Sequence, residues 1–162
     1  MPILSQPNTP AILAAIQTYM TAITWGTNQS FAQVQIEEIK DVTNLVANSG
    51  ACLEIYGASD DSQHAYFGGR IRDEQSFILM ALVSKDTPTY AQQIYVIRDA
   101  LVAPFQTHAT LGNAGSVFHA QIKPRTGMYL DVRRNEQWLR GFRIQLLTMQ
   151  EWQVPMPPGV IS

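Results

Sequence analysis

One run of nine residues, Ser76–Ser84, constrains the fold more than any other feature, because its sequence SFILMALVS is apolar at nearly every position. Nine residues are few for a buried helix, whereas a strand inside a sheet is apolar throughout when both of its faces are covered. We therefore predict that this segment is a central strand, with other parts of the chain packed on each of its sides.

Two amphipathic helices are predicted, one near the start of the chain and one after the apolar run. Thr9-Pro10 supplies a threonine cap and a first-turn proline for the first helix, which we expect to end near Gly26. Thr87-Pro88 repeats this start for the second helix, and Pro104 ends it. Residues at helical spacing form the two apolar stripes: Ile12, Ile16, Tyr19 and Ile23 in the first helix, and Ile94, Ile97, Leu101 and Val102 in the second.

Most of the remaining segments alternate between polar and apolar residues, as strands do. We predict strands at 33–39, 51–56, 65–71, 117–122, 128–133 and 139–149, with Asn135-Glu136 as the turn between the last two. The fold class that follows is α+β, with a mixed, mostly antiparallel β-sheet and two main helices packed on it. The length of 162 residues suits a single domain, 1–162. A short N-terminal arm (1–8) and an extended C-terminal arm (153–162) are predicted, because prolines exclude the latter from a sheet interior.

The chain carries few charges, and they are unevenly spread. Charged residues make up 15% of it, against roughly 25% in an average soluble domain, and the formal net charge is −2. Residues 1–62 hold six carboxylates against the single Lys40, whereas 123–143 hold six cations against Asp131 and Glu136. An acidic end and a basic end would let copies of the chain pair head-to-tail. A scatter of solvated charges is the alternative interpretation.

Basic and aromatic residues in the last third of the chain predict a surface that binds a subunit or another partner. Arginine and tryptophan are enriched at protein interfaces. The C-terminal arm is apolar for a terminus, so it either docks on a neighbouring subunit or folds back on its own sheet. The predicted interface residues are Arg125, Arg133, Arg134, Arg140, Trp138, Trp152 and Met156.

The sequence has no recognisable motif for catalysis or cofactor binding. Its glycines lack the spacing of a phosphate-binding loop, and no serine lies in a nucleophile elbow. Cys52 is the only cysteine, which excludes an intramolecular disulfide and a cysteine-rich zinc site. Asp60, Asp61 and His64 could converge on a metal ion, but a solvated turn is the stronger interpretation of that loop. We therefore expect no enzyme activity, no cofactor and no metal.

Targeting signals are also missing from the sequence. The start of the chain, MPILSQPNTP, has neither the basic part nor the apolar part of a signal peptide. No apolar run approaches the ~20 residues needed to cross a bilayer. We expect a protein that contacts no membrane and is made, or assembled into something larger, in a cytosol.

Three segments together resemble the tail terminator proteins, also called tail completion proteins, of long-tailed bacteriophages. They are the first helix, TPAILAAIQTYM, the strand-and-helix unit, SFILMALVSKDTPTYAQQIYVIRDALV, and the closing hairpin, YLDVRRNEQWLRGFRIQLLTMQEW. The likeness covers roughly residues 9–152. It is a likeness of element order, length and residue pattern, and it includes no diagnostic motif.

The resemblance implies a small α/β protein that assembles with copies of itself into a homo-hexameric ring. Such a ring caps the head-proximal end of the tail tube, stops the tail tube protein from polymerising, and presents a surface to the neck or head-completion protein. DNA passes through its channel without sequence-specific binding. The resemblance further implies a place in the virion, at the tail or neck, after assembly in the host cytoplasm. It supplies no catalytic residues and no interface positions.

Three other functions stay open at the level of the sequence. Another ring-forming virion component, such as a head–tail joining protein or a tail tube protein, would share these features. A small metal-dependent enzyme would use Asp60, Asp61 and His64. A nucleic-acid-binding module would use the basic residues Arg125, Arg133, Arg134 and Arg140.

Overall fold

Helices and five strands make up most of the residues that the structure, a computed structural model, describes: 8–40, 50–61, 70–87, 89–107 and 109–153. In chain order they are α1 (Thr9–Ala22), β1 (Gln33–Ile36), β2 (Ala51–Asp61), β3 (Arg70–Ser84), α2 (Tyr90–Val102), the short α3 (Pro104–Thr107), a segment of tight turns (Leu111–Ser116), β4 (Val117–Arg134) and β5 (Gln137–Gln153).

The five strands form one sheet in the order β1-β2-β3-β5-β4, which places β3 in the middle. The β1–β2 pair is parallel and the other three pairs are antiparallel. The predicted α+β class with a mixed, mostly antiparallel sheet is therefore confirmed, and so is the central position of 76–84. The strand begins earlier than predicted, at Arg70, because its polar first residues pair with the end of β5.

α1 and α2 pack on the same face of the sheet and form the main core with it. The helices contribute Ile12, Ile16 and Met20 from α1 and Ile94, Ile97 and Leu101 from α2, all fully buried. Alternate residues of β3 face them: Phe77, Leu79, Ala81 and Val83. The predicted helical stripes are confirmed, since a period of 3.6 residues brings these side chains to one side of each helix.

A second, smaller core lies on the opposite face of the sheet. It consists of Ile39, Cys52, Leu82 and Leu139, with Met80 and Val132 packed against it. Leu82 comes from β3, so the central strand buries side chains on both faces. Successive residues of a strand point to opposite faces, and both faces are covered here, so nearly every residue of 76–84 is apolar.

The starts of both long helices differ from the prediction. Asn8, not Thr9, caps α1, since its side-chain oxygen accepts a hydrogen bond from the backbone N–H of Ala11 at 3.2 Å. α1 ends at Ala22, before the predicted Gly26. α2 begins after Thr89, whose φ of 65° is left-handed and whose side chain makes no capping bond. Thr87 contributes only its carbonyl, which accepts from the N–H of Tyr90.

The strands predicted at 117–122 and 128–133 are one strand, β4. Its register against β5 shifts between Lys123 and Met128, where extra residues form a bulge. The hydroxyl of Thr126 bridges this bulge, donating to the carbonyl of Lys123 at 2.6 Å and accepting from the backbone N–H of Gln145 at 2.9 Å. A side chain thus replaces a backbone partner, and the strand continues past the break that the sequence suggested.

The turn predicted at Asn135-Glu136 is confirmed. Both residues have positive φ, 48° and 63°, and Arg134 pairs with Gln137 on either side of them. This is the backbone of a two-residue type I′ hairpin, whose twist matches that of the strands it joins.

Other strand bounds differ from the prediction, and some predictions concern residues that are not described. β1 ends at Ile36 rather than residue 39, and β2 extends to Asp61, through residues predicted as a loop. Of the predicted strand 65–71 only 70–71 are described, and they belong to β3. Of the two predicted arms, 1–7 and 154–162 lie outside the described residues.

Candidate protein-interaction surface

The β4–β5 hairpin presents part of the helix-bearing face of the sheet to solvent. Its register sets three pairs on that face: Tyr129 with Phe142, Asp131 with Arg140, and Arg133 with Trp138. Phe142 is buried in the main core. Trp138, four residues nearer the turn, does not belong to that core and is 55% exposed.

Aromatic rings from two elements meet at the border between the core and this exposed part. Tyr95 of α2 lies 5.1 Å from Tyr129, and Tyr129 lies 4.9 Å from Phe142, measured between ring centroids. Tyr95 is 53% exposed and Tyr129 36% exposed. The guanidinium of Arg140 lies 5.9 Å from the centroid of the Tyr129 ring, a cation–π distance. We call Tyr95, Tyr129, Asp131, Arg133, Trp138 and Arg140 the hairpin surface.

Arg140 of the hairpin surface is held in place by one carboxylate. Asp131 forms one ion pair with Lys85 at 3.2 Å and another with Arg140 at 3.4 Å. The hydrogen bond from Lys85 and the neighbouring Arg140 lower the pKa of the Asp131 carboxyl below its ordinary value. Because Asp131 is exposed, these pairs add little stability, but they orient the arginine beside Tyr129.

An open groove lies between α2 and β4, next to the hairpin surface. Its volume is about 350 Å³. Its lining consists of Tyr95, Arg98, Asp99, Gly127, Tyr129, Phe142 and Ile144. Arg98 and Asp99 form an ion pair of 2.7 Å with each other, so their charges offset at this rim of the groove.

A buried ion pair lies on the other face of the sheet. Glu54 in β2 is fully buried, and its two oxygens accept hydrogen bonds from Nε and Nη2 of Arg134 at 3.1 and 2.9 Å. The hydroxyl of Tyr56 donates to the same carboxylate at 2.8 Å, and the backbone N–H of Ile39 donates at 2.7 Å. Four donors therefore satisfy this carboxylate, as a buried charge requires.

This pair shows that the sheet is strongly curled. On a flat sheet Arg134 would lie three strands across from Glu54 and six residues further along, because Glu54, Met80, Arg143 and Met128 follow one another in register. That separation is roughly 14 Å across the strands and ~20 Å along them, far beyond the reach of an arginine side chain. The hairpin must therefore fold over the face opposite the helices, where Val132 and Leu139 complete the second core.

Burial at this site also changes two ionisable groups. Desolvation, helped by the nearby Glu54 carboxylate and opposed by Arg134, raises the pKa of the Cys52 thiol to about 12. Desolvation and the hydrogen bond to Glu54 raise the pKa of Tyr56 as well. Both groups stay neutral near pH 7, so they offer neither a thiolate nor a phenolate for chemistry.

The predicted interface residues do not all come together. Arg133, Trp138 and Arg140 share the hairpin surface. Arg134 points to the opposite face, where it is 16% exposed and bound to Glu54, so it is withdrawn from the predicted interface. Arg125 is exposed in the bulge of β4. The backbone of Trp152 pairs with Ile71 at the far end of β5, and Met156 lies outside the described residues.

The acidic and basic parts of the chain also meet inside one molecule. Arg134 lies 3.6 Å from Glu38 in addition to its contact with Glu54. Two carboxylates of the acidic part are thus engaged by the basic part of the same chain. The charge distribution alone therefore gives weaker support to head-to-tail pairing than the sequence suggested.

Sequence reasoning missed Glu54 and Tyr95 as residues of interest. Glu54 carried a signal, since it is a charged residue within the apolar strand segment 51–56, and such a charge needs a partner. Tyr95 carried none, because its neighbours in space come from the β4–β5 hairpin.

The described residues contain no group of three or more His, Cys, Asp or Glu side chains that could hold a metal ion. Asp60 and Asp61 lie in β2, and His64 lies outside the described residues, so the candidate cluster at 60–64 is not tested. Among the residues described, no helix is long and apolar enough to span a membrane.

Comparison with known proteins does not assign the chain to a family. No protein-family model matches it, and no curated protein matches it.

Proposed function

We propose that this chain is a structural assembly protein that binds copies of itself through the hairpin surface. Within that class we propose a tail terminator of a long-tailed bacteriophage. Copies would form a hexameric ring on the tail tube, contact the neck protein, and leave a channel for DNA. The protein would act as a virion component assembled in the host cytoplasm, without catalysis and without a cofactor.

The observation that carries the proposal is the exposure of large aromatic side chains beside arginines on the hairpin surface. Trp138 and Tyr95 are each more than half exposed, and Arg140 lies over Tyr129. Tryptophan, tyrosine and arginine are the residue types that dominate binding energy at protein interfaces. Contiguous exposed apolar surface on a folded protein is a mark of an interaction site.

The ion pair on the other face supports the same role. Arg134 lies directly before the turn of the hairpin, and its two bonds to Glu54 tie that turn to β2. A surface that is rigid before it binds loses less conformational entropy on association. The hairpin surface is thus preorganised by a contact that does not itself take part in binding.

Ring closure requires a heterologous contact, in which the hairpin surface of one copy meets a different surface of the next. The mass of the full-length protein in solution, measured by light scattering and followed by negative-stain imaging, tests this. We expect closed rings, either alone or after addition of tail tubes. Long tubes formed by the protein alone would indicate a tube protein instead. A monomer of 18.1 kDa that forms no ring even when tail tubes are added would overturn the proposal.

A pair of variants tests the surface itself. Trp138→Ser removes the most exposed aromatic ring of the hairpin surface and should abolish ring formation. Phe118→Ser is the matched control, because Phe118 is 41% exposed and lies at the other end of β4. If both variants assemble like the wild type, the hairpin surface is not the contact.

A nucleic-acid-binding module is the second candidate, favoured by Arg140, which lies beside the paired tyrosines Tyr95 and Tyr129. Tyr95, Tyr129 and Arg140 form the kind of surface on which single-stranded bases stack. Titration of a fluorescent oligonucleotide at low salt distinguishes the two functions. Binding that weakens steeply as salt is added would favour this candidate, and no binding would remove it.

A further inference from the structure

We propose that the groove between α2 and β4 binds the proline-rich C-terminal segment, residues 154–158, of a neighbouring copy. This inference rests on the proposed self-association and names the contact that joins one copy to the next. The segment reads Val154-Pro155-Met156-Pro157-Pro158 and directly follows the end of β5.

The groove has the chemistry of a site for such a segment. Its accessible aromatic lining comes from Tyr95 and Tyr129, whereas Phe142 and Ile144 of the lining are buried. Aromatic-lined grooves are the usual sites for proline-rich segments, which enter them as preformed extended helices at a low entropic cost. The volume of about 350 Å³ lies within the range of roughly 300–1,000 Å³ found for ligand sites.

Charge favours the same occupant. The Arg98–Asp99 pair neutralises the rim of the groove. Residues 154–162 contain no charged side chain, so neither side would have to give up the hydration of an unpaired charge on binding. Met156 adds a polarisable side chain that makes favourable contacts with aromatic rings.

Chain length favours a segment that comes from another copy. Ile144 lies in the groove and Gln153 ends β5, nine residues later, which corresponds to ~30 Å of strand. Pro158 is five residues beyond Gln153 and can lie at most ~18 Å from it. Along a straight strand the prolines are therefore too far from the groove of their own chain, whereas the same segment on an adjacent molecule has no such restriction.

Mixing two variants of the full-length chain tests the contact. Tyr95→Ala alters the groove and leaves the C-terminal segment intact, whereas the triple variant Pro155→Ser, Pro157→Ser, Pro158→Ser does the reverse. We expect each variant alone to remain a monomer of about 18.1 kDa by light scattering. Their equimolar mixture should form a species of twice that mass, because only one intact groove-and-segment contact can then form. Assembly of the triple variant into wild-type rings would overturn the inference.

A direct binding measurement separates this inference from the proposed function. A fluorescein-labelled peptide covering residues 153–162 is titrated with the triple-serine chain, whose groove would be vacant. We expect saturable anisotropy, a dissociation constant raised about tenfold or more by adding Tyr95→Ala, and no change on adding Phe118→Ala. Absence of peptide binding while the wild type still forms rings would sink the inference alone. If the peptide binds but the wild-type protein never self-associates, the proposed ring-forming function would be contradicted instead.

Discussion

The guanidinium of Arg134 binds both carboxylate oxygens of Glu54, a residue 80 positions earlier in the chain. The contact joins β2 to the end of β4, although β3 and β5 lie between these strands in the sheet. It exists only because the sheet curls, and it holds the second core closed beneath it. A single ion pair thus reports on the shape of the whole sheet.

Arg134→Met should destabilise the fold by about 3–5 kcal/mol, because it leaves the Glu54 carboxylate buried without its counter-charge. Glu54→Gln combined with Arg134→Met should cost less than Arg134→Met alone, since no charge then stays buried. Urea denaturation of the two single variants and the double variant measures the coupling energy. Additive costs would mean that the pair does not form in solution.

Arg133→Met is the control for that cycle. Arg133 is the preceding residue but lies on the opposite face of the hairpin and is exposed. Its replacement should change the free energy of unfolding by about 0.5 kcal/mol or less.

Glu136→Gly should stabilise the protein by about 0.5–1 kcal/mol. Glu136 has a φ of 63°, which costs a side-chain-bearing residue about 1–2 kcal/mol, and glycine avoids this cost while losing some entropy on folding. Glu136→Ala is the comparison, because it removes the same charge without relieving the backbone. Equal midpoints for the two variants in thermal denaturation would show that the turn is not under strain.

Gly115→Ala should be more destabilising than Gly112→Ala by about 1–3 kcal/mol. Both glycines have positive φ, 55° and 65°, so each substitution has a similar backbone cost. A Cβ at Gly115 would lie 2.6 Å from Cγ1 of Ile12 and 2.8 Å from the carbonyl oxygen of Asn8, whereas one at Gly112 would meet nothing closer than 3.4 Å. Chemical denaturation of both variants gives the difference, and equal losses would contradict the packing of the turn segment Leu111–Ser116 on α1.

Cys52 should not react with a thiol reagent at pH 8 until the protein unfolds, because the residue is buried and its pKa is raised to about 12. Its labelling rate should follow the unfolding rate as urea is added. Fast labelling without denaturant would mean that the second core opens readily.

The same thiol makes stability fall at high pH. In the unfolded chain it ionises near its ordinary pKa of 9.0, whereas in the folded chain it stays protonated to about 12. Below pH 9 both states hold the proton and the thiol has no effect. Between pH 9 and 12 only the unfolded state releases it, which lowers the free energy of unfolding by about 1.4 kcal/mol per pH unit. Cys52→Ala should lack this component, and parallel pH profiles for wild type and variant would disprove it.

Local features were predictable from the sequence. The stripe of Ile12 and Ile16, the double-sided apolar run of 76–84 and the turn at Asn135-Glu136 each depend on residues a few positions apart. Periodicity within such a window reflects which face of a helix or strand is buried, so it is visible without knowing the partner. The fold class followed from the order of these elements.

The candidate surface was predictable only in part. Arg133, Trp138 and Arg140 were singled out because their residue types suit interfaces, and their position on one hairpin brings them together. Tyr95 joins them from α2 through a contact that spans the fold, and no local pattern indicated it. Residue type identified the chemistry, but the packing of α2 on β3 and β5 decided that Tyr95 lies beside Tyr129.

The fate of Arg134 was decided by tertiary structure alone. In sequence it is indistinguishable from its neighbour Arg133, and both were assigned to the same interface. Alternation along β4 sends the two side chains to opposite faces, and the curl of the sheet then brings one of them to Glu54. A charged side chain is available for binding a partner only when it is not already paired with a buried charge. Whether Arg134 is paired depends on Glu54, 80 positions away, and a local sequence pattern does not show which distant residues come into contact.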